Sequence, residues 1–240
     1  MSIISNPIEY SISDFVQDTY RPNPRNIIFW DTCALLEIFR FPYRNGDLST
    51  YKTLNRLNDL IQANSIYSLA SSLTISEWNN HENSIKAIVQ SSLEETGNYH
   101  SICLQISNEI SGSALISETL HDKGLIQNFE ALADSILSKT IFLQTNEIAN
   151  SSLERVRDKL PPASKKSEFK DCAIWETIVK VSRDIYSFDT ANFQVFYTVN
   201  TDDFVDKSRT PKLFHGMLLT EASLSNLNCC SNLLEVNQRL

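Results

Sequence analysis

The chain reads as an α/β domain built on a parallel sheet, and three observations lead there. Ile27-Ile28-Phe29-Trp30 is an unbroken apolar run bounded upstream by the turn-forming Arg21-Pro22-Asn23-Pro24, the pattern of a strand buried on both faces. The pattern then switches at once to helical spacing, with Ala34, Leu35, Ile38 and Phe39 on one stripe. The same alternation of short apolar runs and helical stretches recurs to the end of the chain, which is the order of a parallel sheet with crossover helices.

Taken in order, residues 1–25 read as an arm leading into the first strand, and residues 26–240 as a single domain. A turn-rich loop from Phe41 to Thr50 holds Pro42, Asn45 and Gly46, and Leu54, Leu57, Leu60 and Ile61 give Tyr51 to Ala63 helical spacing. Ser65 to Ala70 reads as a second strand, followed by Thr74 and Glu77 in capping-box spacing ahead of Trp78. Residues 78–140 form an insertion-sized helical block with expected breaks at Gly97-Asn98 and Ser111-Gly112-Ser113. Ile141-Phe142-Leu143 is a short strand, and a helix through Ile148, Leu153 and Val156 stops before Pro161-Pro162. Ile174, Trp175, Ile178 and Val179 mark the next helix, Gln194 to Val199 a further strand, and Leu227 to Cys230 the last.

Composition narrows the class. Hydrophobic residues make up 42% of the 240, enough for a sizeable core, while 5 Gly, 7 Pro and no long apolar run argue against a fibrous or membrane-spanning chain. The first residues lack the basic and apolar regions of an export signal, and five cysteines in no metal-ligand spacing suggest reduced thiols, so the expected location is cytoplasmic. The four histidines are equally scattered, and a metal here should be a hard cation held by oxygen.

Charge is uneven. The net charge is -8, yet residues 152–212 carry 11 basic against 10 acidic side chains, while the rest of the chain carries 10 against 19. Arg155, Arg157, Lys159, Lys165, Lys166 and Lys170 concentrate the positive charge, either as a solvated face or as a phosphate-binding one, with Lys165, Lys166 and Lys170 the candidate substrate contacts.

The chemistry lies where apolar runs stop. Asp31 ends the first strand, Glu77 starts a helix, Asp171 lies on the buried stripe of the helix carrying Trp175, and Asn200, Asp202 and Asp203 follow the strand at Gln194 to Val199. In a parallel sheet these positions share the carboxyl edge, where ligands bind. Each acid alone is explained by helix capping, and Thr32 equally so. Together, the carboxylates would repel one another unless a divalent ion sat among them, and such an ion can activate water and offset charge on a phosphate.

Four pieces carry a resemblance to the PIN-domain nuclease family: the strand ending Asp31-Thr32-Cys33, the segment Thr74-Ile75-Ser76-Glu77-Trp78, the segment Lys170-Asp171-Cys172-Ala173-Ile174-Trp175-Glu176 after Pro161-Pro162 and Lys165-Lys166, and the strand end Thr198-Val199-Asn200-Thr201-Asp202-Asp203-Phe204. The likeness spans nearly the whole chain and is closest to larger PIN-like ribonucleases with a helical insertion. It implies a three-layer α/β/α sandwich around a parallel sheet, and Mg2+ or Mn2+ held by Asp31, Glu77 and Asp171 for endonucleolytic hydrolysis of RNA, with Thr32 orienting ligands or water. Many family members show Thr-x-Asp-x-Asp-Phe at the last position, where this chain has Asn200; the fourth carboxylate then falls to Asp203 or Asp202, with Asn200 able to offer oxygen but no charge. The resemblance also implies RNA as substrate with single-stranded DNA as a second candidate, no membrane, an oligomer as one arrangement, and an inhibitory partner such as an antitoxin if the protein is a toxin or defence effector. The competing readings are an inactive RNA-binding or interaction protein on the same fold and an aspartyl phosphatase, which Cys33 disfavours because that chemistry wants a second acid there.

Overall fold

The computed structural model describes residues 7–41, 44, 47–116, 124–164, 168–208 and 213–240. The elements run β1 (Ile8–Tyr10), α1 (Ile12–Asp14) continuing into a wide turn at Phe15–Tyr20, β2 (Asn26–Trp30), α2 (Thr32–Arg40), α3 (Leu48–Gln62), β3 (Ile66–Ser71), α4 (Leu73–Ser111), α5 (Leu125–Lys139) and β4 (Ile141–Leu143). Then follow α6 (Ala149–Arg157), α7 (Phe169–Tyr186), β5 (Gln194–Tyr197), α8 (Thr201–Phe204), β6 (Val205–Asp206), β7 (Leu213–Phe214), α9 (Gly216–Ser223), β8 (Leu227–Cys230) and α10 (Leu233–Arg239).

Six strands form one sheet in the order β1-β4-β3-β2-β5-β8, and every pairing in it is parallel. The expected α/β/α sandwich follows from β2, whose alternate residues feed two different cores. Ile28 and Trp30 point into a cluster with α2, α3, α4, α5 and α10, whereas Ile27 and Phe29 point into a cluster with the 12–20 segment, α7 and α9. A strand buried on both faces has no polar side to show, which is why its sequence is unbroken apolar. Chain order diverges at β2, with β3 on one side and β5 on the other. That divergence makes the β2/β5 carboxyl edge the topological switch point, where the loops part and leave a crevice.

Several expectations change. Residues 8–20 are not an arm: β1 pairs with β4 at the sheet edge, and Ile12, Phe15, Val16 and Tyr20 are fully buried beneath α7. The helix after β3 begins at Leu73 with Ser72 as its N-cap, so Thr74 and Glu77 lie inside it and make no capping box. It also runs through Gly97-Asn98, because one glycine in an exposed helix costs only about 1 kcal/mol. The break at Gly112 is real, and that residue adopts the left-handed conformation (φ 64°) that ends helices at least cost. Nor is the 78–140 block appended to the fold. Trp78, Ile85, Val89 and Leu93 of α4, and Phe129, Ala133 and Ile136 of α5, complete the same core as α2. Pro42, Asn45 and Gly46 of the expected loop lie outside the described residues.

No helix among the described residues is long and apolar enough to cross a membrane. All five cysteines are free thiols.

Candidate active site

Asp31 follows the last residue of β2 and occupies the N-cap position of α2 with extended backbone (φ -77°, ψ 150°), yet its side chain makes no capping hydrogen bond. The carboxylate turns across the switch point, where Oδ2 accepts the Thr198 hydroxyl proton at 2.6 Å just beyond the end of β5. The Asp31 amide donates to Tyr197 O at 3.1 Å, so backbone and side chain both bind it to the neighbouring strand. Asp31 is 2% exposed and Thr198 1%. Burial pushes the Asp31 carboxyl up to about 6; the Thr198 hydroxyl opposes the rise and the charge of Glu77 adds to it.

Glu77 reaches the same edge from the first turns of α4. The α2 and α4 starts are tied together by the Thr32 hydroxyl, which donates to Thr74 Oγ1 at 3.1 Å between two buried threonines. Thr32 therefore positions the helix bearing Glu77, a role its sequence neighbours do not reveal. Asp171 enters from the opposite layer in the first turn of α7, whose cap position belongs to Glu168. Burial pushes Asp171 up to about 8, with the charges of Asp31, Asp203, Glu168 and Glu77 adding to the rise. Asp203, 6% exposed in α8, completes the set. Cys33 sits among the same groups: its thiol is pushed up to about 12, first by burial and then by the charges of Asp31, Asp171 and Glu77.

The remaining candidates are placed differently. Asn200 is half-buried at the N-cap of α8, with its backbone amide donating to Thr198 Oγ1 at 2.9 Å and its side chain capping nothing. Thr198 thus links Asp31 to Asn200, and the sequence motif contained it without marking this role. Asp202 is exposed and pairs with Lys207. Lys170 pairs with Glu77 at 3.2 Å, bringing one cation into the acid cluster, while Lys165 and Lys166 lie outside the described residues.

Arg155 corrects the reading of the basic segment. Rather than facing solvent it is 6% exposed, with Nε donating to Glu176 at 2.7 Å, Nη2 to both oxygens of Glu221 at 2.8 Å, and Nη1 to Pro161 O. Trp175 Nε1 donates to the same Glu221 at 2.6 Å. A guanidinium is the one cation able to serve two carboxylates and a carbonyl in one plane, so this arginine is a structural tie among α6, α7 and α9. Arg157, by contrast, is exposed and paired with Asp158 at 2.8 Å.

Among the described residues no three His, Cys, Asp or Glu side chains stand in position to grip one ion together. What the edge does offer is oxygen donors of high negative charge density, two of them holding protons above the ordinary carboxylate range. No similarity to a curated protein or to a solved structure is found. A family model described as PIN domain matches residues 28–204, from within β2 to the end of α8, and so spans all four acids. The chain belongs to the PIN domain family.

Proposed function

We propose that the chain is a metal-dependent endoribonuclease acting at Asp31, Glu77, Asp171 and Asp203. The observation that carries this is the gathering of acids at the switch point, where burial raises Asp31 and Asp171, the charge of Glu77 adds to Asp31, and the charges of Asp31, Asp203, Glu168 and Glu77 add to Asp171. Acids kept in such conflict are costly to the fold, and a cation removes the cost. The donor set fits Mg2+ or Mn2+, hard ions that bind through one or two carboxylates and keep several waters, so that three simultaneous protein ligands are not required. Such an ion, when bound, would lower the pKa of a water and offset charge on the phosphate.

The protein's own part follows from its geometry. Thr198 holds the Asp31 carboxylate in one orientation by donating to Oδ2. Asp171, raised to about 8, can hold a proton near neutral pH and release it when positive charge arrives. Asp203 supplies the last carboxylate, since Asn200 brings no charge and Asp202 is engaged with Lys207 at the surface. Lys170, beside Glu77, is placed to meet a phosphate oxygen, with Lys165 and Lys166 extending that role along the same segment. RNA is the substrate of this reading, with single-stranded DNA as a second candidate. A ribonuclease of this kind endangers its own cell, so a cytoplasmic toxin or defence effector restrained by an inhibitory protein belongs to the same proposal, and the reduced thiols fit that compartment.

The Lys170–Glu77 pair favours one alternative, an RNA-binding protein whose acid edge is already neutralised from within. Incubating single-stranded RNA with the protein and Mn2+, beside a chelated control and Asp31→Asn, separates the two. The nuclease reading expects cleavage that falls by more than about a hundredfold in both controls. RNA bound but intact, with or without Mn2+, supports the alternative.

A further inference from the structure

Helix α4, 39 residues long, outruns the core it serves. Its last core residue is Leu93, and residues 94–111 contribute no buried side chain, although they carry the helix on for about 27 Å at the helical rise. Along that free half Tyr99, Ile102, Ile106 and Ile110 recur at three and four, so they fall on one stripe. They are 71, 54, 55 and 81% exposed. That is on the order of 500 Å² of apolar surface in one line, a patch of the size that marks contact with another molecule.

The chain does not cover this stripe with its own described residues. After Gly112 it turns back, and the Asn108 side chain fixes the turn by donating to Leu115 O at 2.8 Å and accepting from Leu115 N at 3.0 Å. At about 100° per residue Asn108 lies on the far side of α4 from the stripe, so the described part of the returning chain takes the other face.

Charge shows what would fit. Between Lys86 and Lys123 the sequence holds no lysine or arginine, while Glu94, Glu95 and Glu109 are exposed on the free half. At the amino end of the stripe a shallow groove of about 460 Å³ is lined by Glu95, Thr96, Asn98, Tyr99 and Ile102. A carboxylate beside an aromatic ring and an aliphatic side chain suits a lysine or arginine, whose stem packs on the apolar surface while its head meets the acid.

We propose that the free half of α4 docks a basic amphipathic helix of another protein, with apolar residues on the stripe and a lysine or arginine in the Glu95 groove. A helical stripe has no unpaired backbone groups to offer a strand, and its side-chain ridges take those of a second helix. RNA and anionic lipid are both repelled by a surface that carries acids and no lysine or arginine. A second copy of the chain would bring the acids of both stripes together with no such cation between them. Tyr99 stands about 33 Å along the α4 axis from Glu77, so this contact is separate from the acid edge and from the reaction proposed there.

The test uses the full chain and dye-labelled amphipathic peptides of about 18 residues, followed by fluorescence anisotropy. One peptide has a leucine stripe flanked by lysines, the second replaces those lysines with glutamates, and the third scrambles the first so that its stripe is lost. The lysine peptide should bind at least about tenfold more tightly than the other two. That binding should fall at least about tenfold in the double variant Ile102→Ser, Ile106→Ser, which keeps every charge and alters only exposed positions, at an unchanged melting temperature. The double variant Glu95→Gln, Glu109→Gln should weaken it and flatten its dependence on salt. Equal binding of the three peptides, binding of none, or binding that survives loss of the two isoleucines overturns the proposal. So does a wild-type dimer in sedimentation that the isoleucine variant turns into a monomer, because the occupant would then be a second copy.

Discussion

Two clusters of acids on α7 face opposite circumstances, although their residues stand five positions apart in the sequence. At Glu176 the carboxylate meets Arg155, which also clasps Glu221, so one guanidinium is shared between two carboxylates within hydrogen-bonding distance. At Asp171 the neighbours are Asp31, Asp203, Glu168 and Glu77, and all of them raise its pKa. The first cluster has its counter-charge built in, and among the described residues the second has only Lys170, half exposed and bound to Glu77. The contrast teaches which acids serve the fold and which are held against its interest. Acids that the chain neutralises for itself are structural ties, while acids brought together at a switch point without such a tie are the ones on which the proposed cation site rests.

The sharpest way to break this comparison is to remove the counter-charge where it exists. Arg155→Met should leave the half-buried Glu176 and Glu221 without their shared cation, Glu221 keeping only the Trp175 indole N–H, and destabilise the fold by about 3 kcal/mol, read as a shift in the urea midpoint at unchanged slope. A loss below about 1 kcal/mol would mean that Arg155 is no more than a surface cation. At the acid edge the opposite is expected, because adding charge should help. Mn2+ at about a hundred times its dissociation constant should stabilise the wild type by about 2.7 kcal/mol and raise its melting temperature, while Asp171→Asn should respond far less. Equal responses in the two proteins would remove Asp171 from the cation site.

Acidity sharpens the comparison further. Asp31 and Asp171 have folded-state pKa values of about 6 and 8, above the ordinary carboxylate value, so the folded protein holds protons that the unfolded chain has given up. Their favourable contribution is full below about pH 4 and is lost as pH rises through about 6 and then about 8. The metal-free protein should therefore lose on the order of 3 kcal/mol of stability or more across that window, about that much from buried Asp31 alone, with the part from Asp171 reduced by the solvent that still reaches it. Asp171→Asn should flatten the curve and be the more stable protein at pH 8, as urea titrations at several pH values would reveal. Arg155→Met should leave the shape of that curve unchanged.

The smallest effect concerns Lys170. Replacing it with Gln should lower the salt dependence of RNA binding by about one unit if it meets a phosphate, measured as the slope of log affinity against log salt. An unaltered slope would confine Lys170 to its pairing with Glu77.

Much of the architecture was legible because it depends on local pattern. The apolar run Ile27 to Trp30 could hardly be anything but a doubly buried strand, and strands at Ile141 to Leu143 and Leu227 to Cys230 appeared where their apolar residues required. The arm was misread because β1 spans only Ile8–Tyr10, and so short an edge strand acquires its identity from β4. The expected break at Gly97 failed for a related reason: local helix cost is small, and the helical stretches before and after it carry α4 through.

By itself the sequence determined the parallel α/β order and the family motifs, and it singled out Asp31, Glu77 and Asp171 as candidates, since strand ends and helix starts fix which residues reach the carboxyl edge. Tertiary structure alone decided what each group meets there. Thr198 became the holder of Asp31, Thr32 the link to Thr74, and Arg155 the buried partner of Glu176 and Glu221 instead of a phosphate contact. Charge partnership and desolvation depend on distances between segments far apart in the chain, and residue spacing carries no information about them until the sheet has brought those segments together.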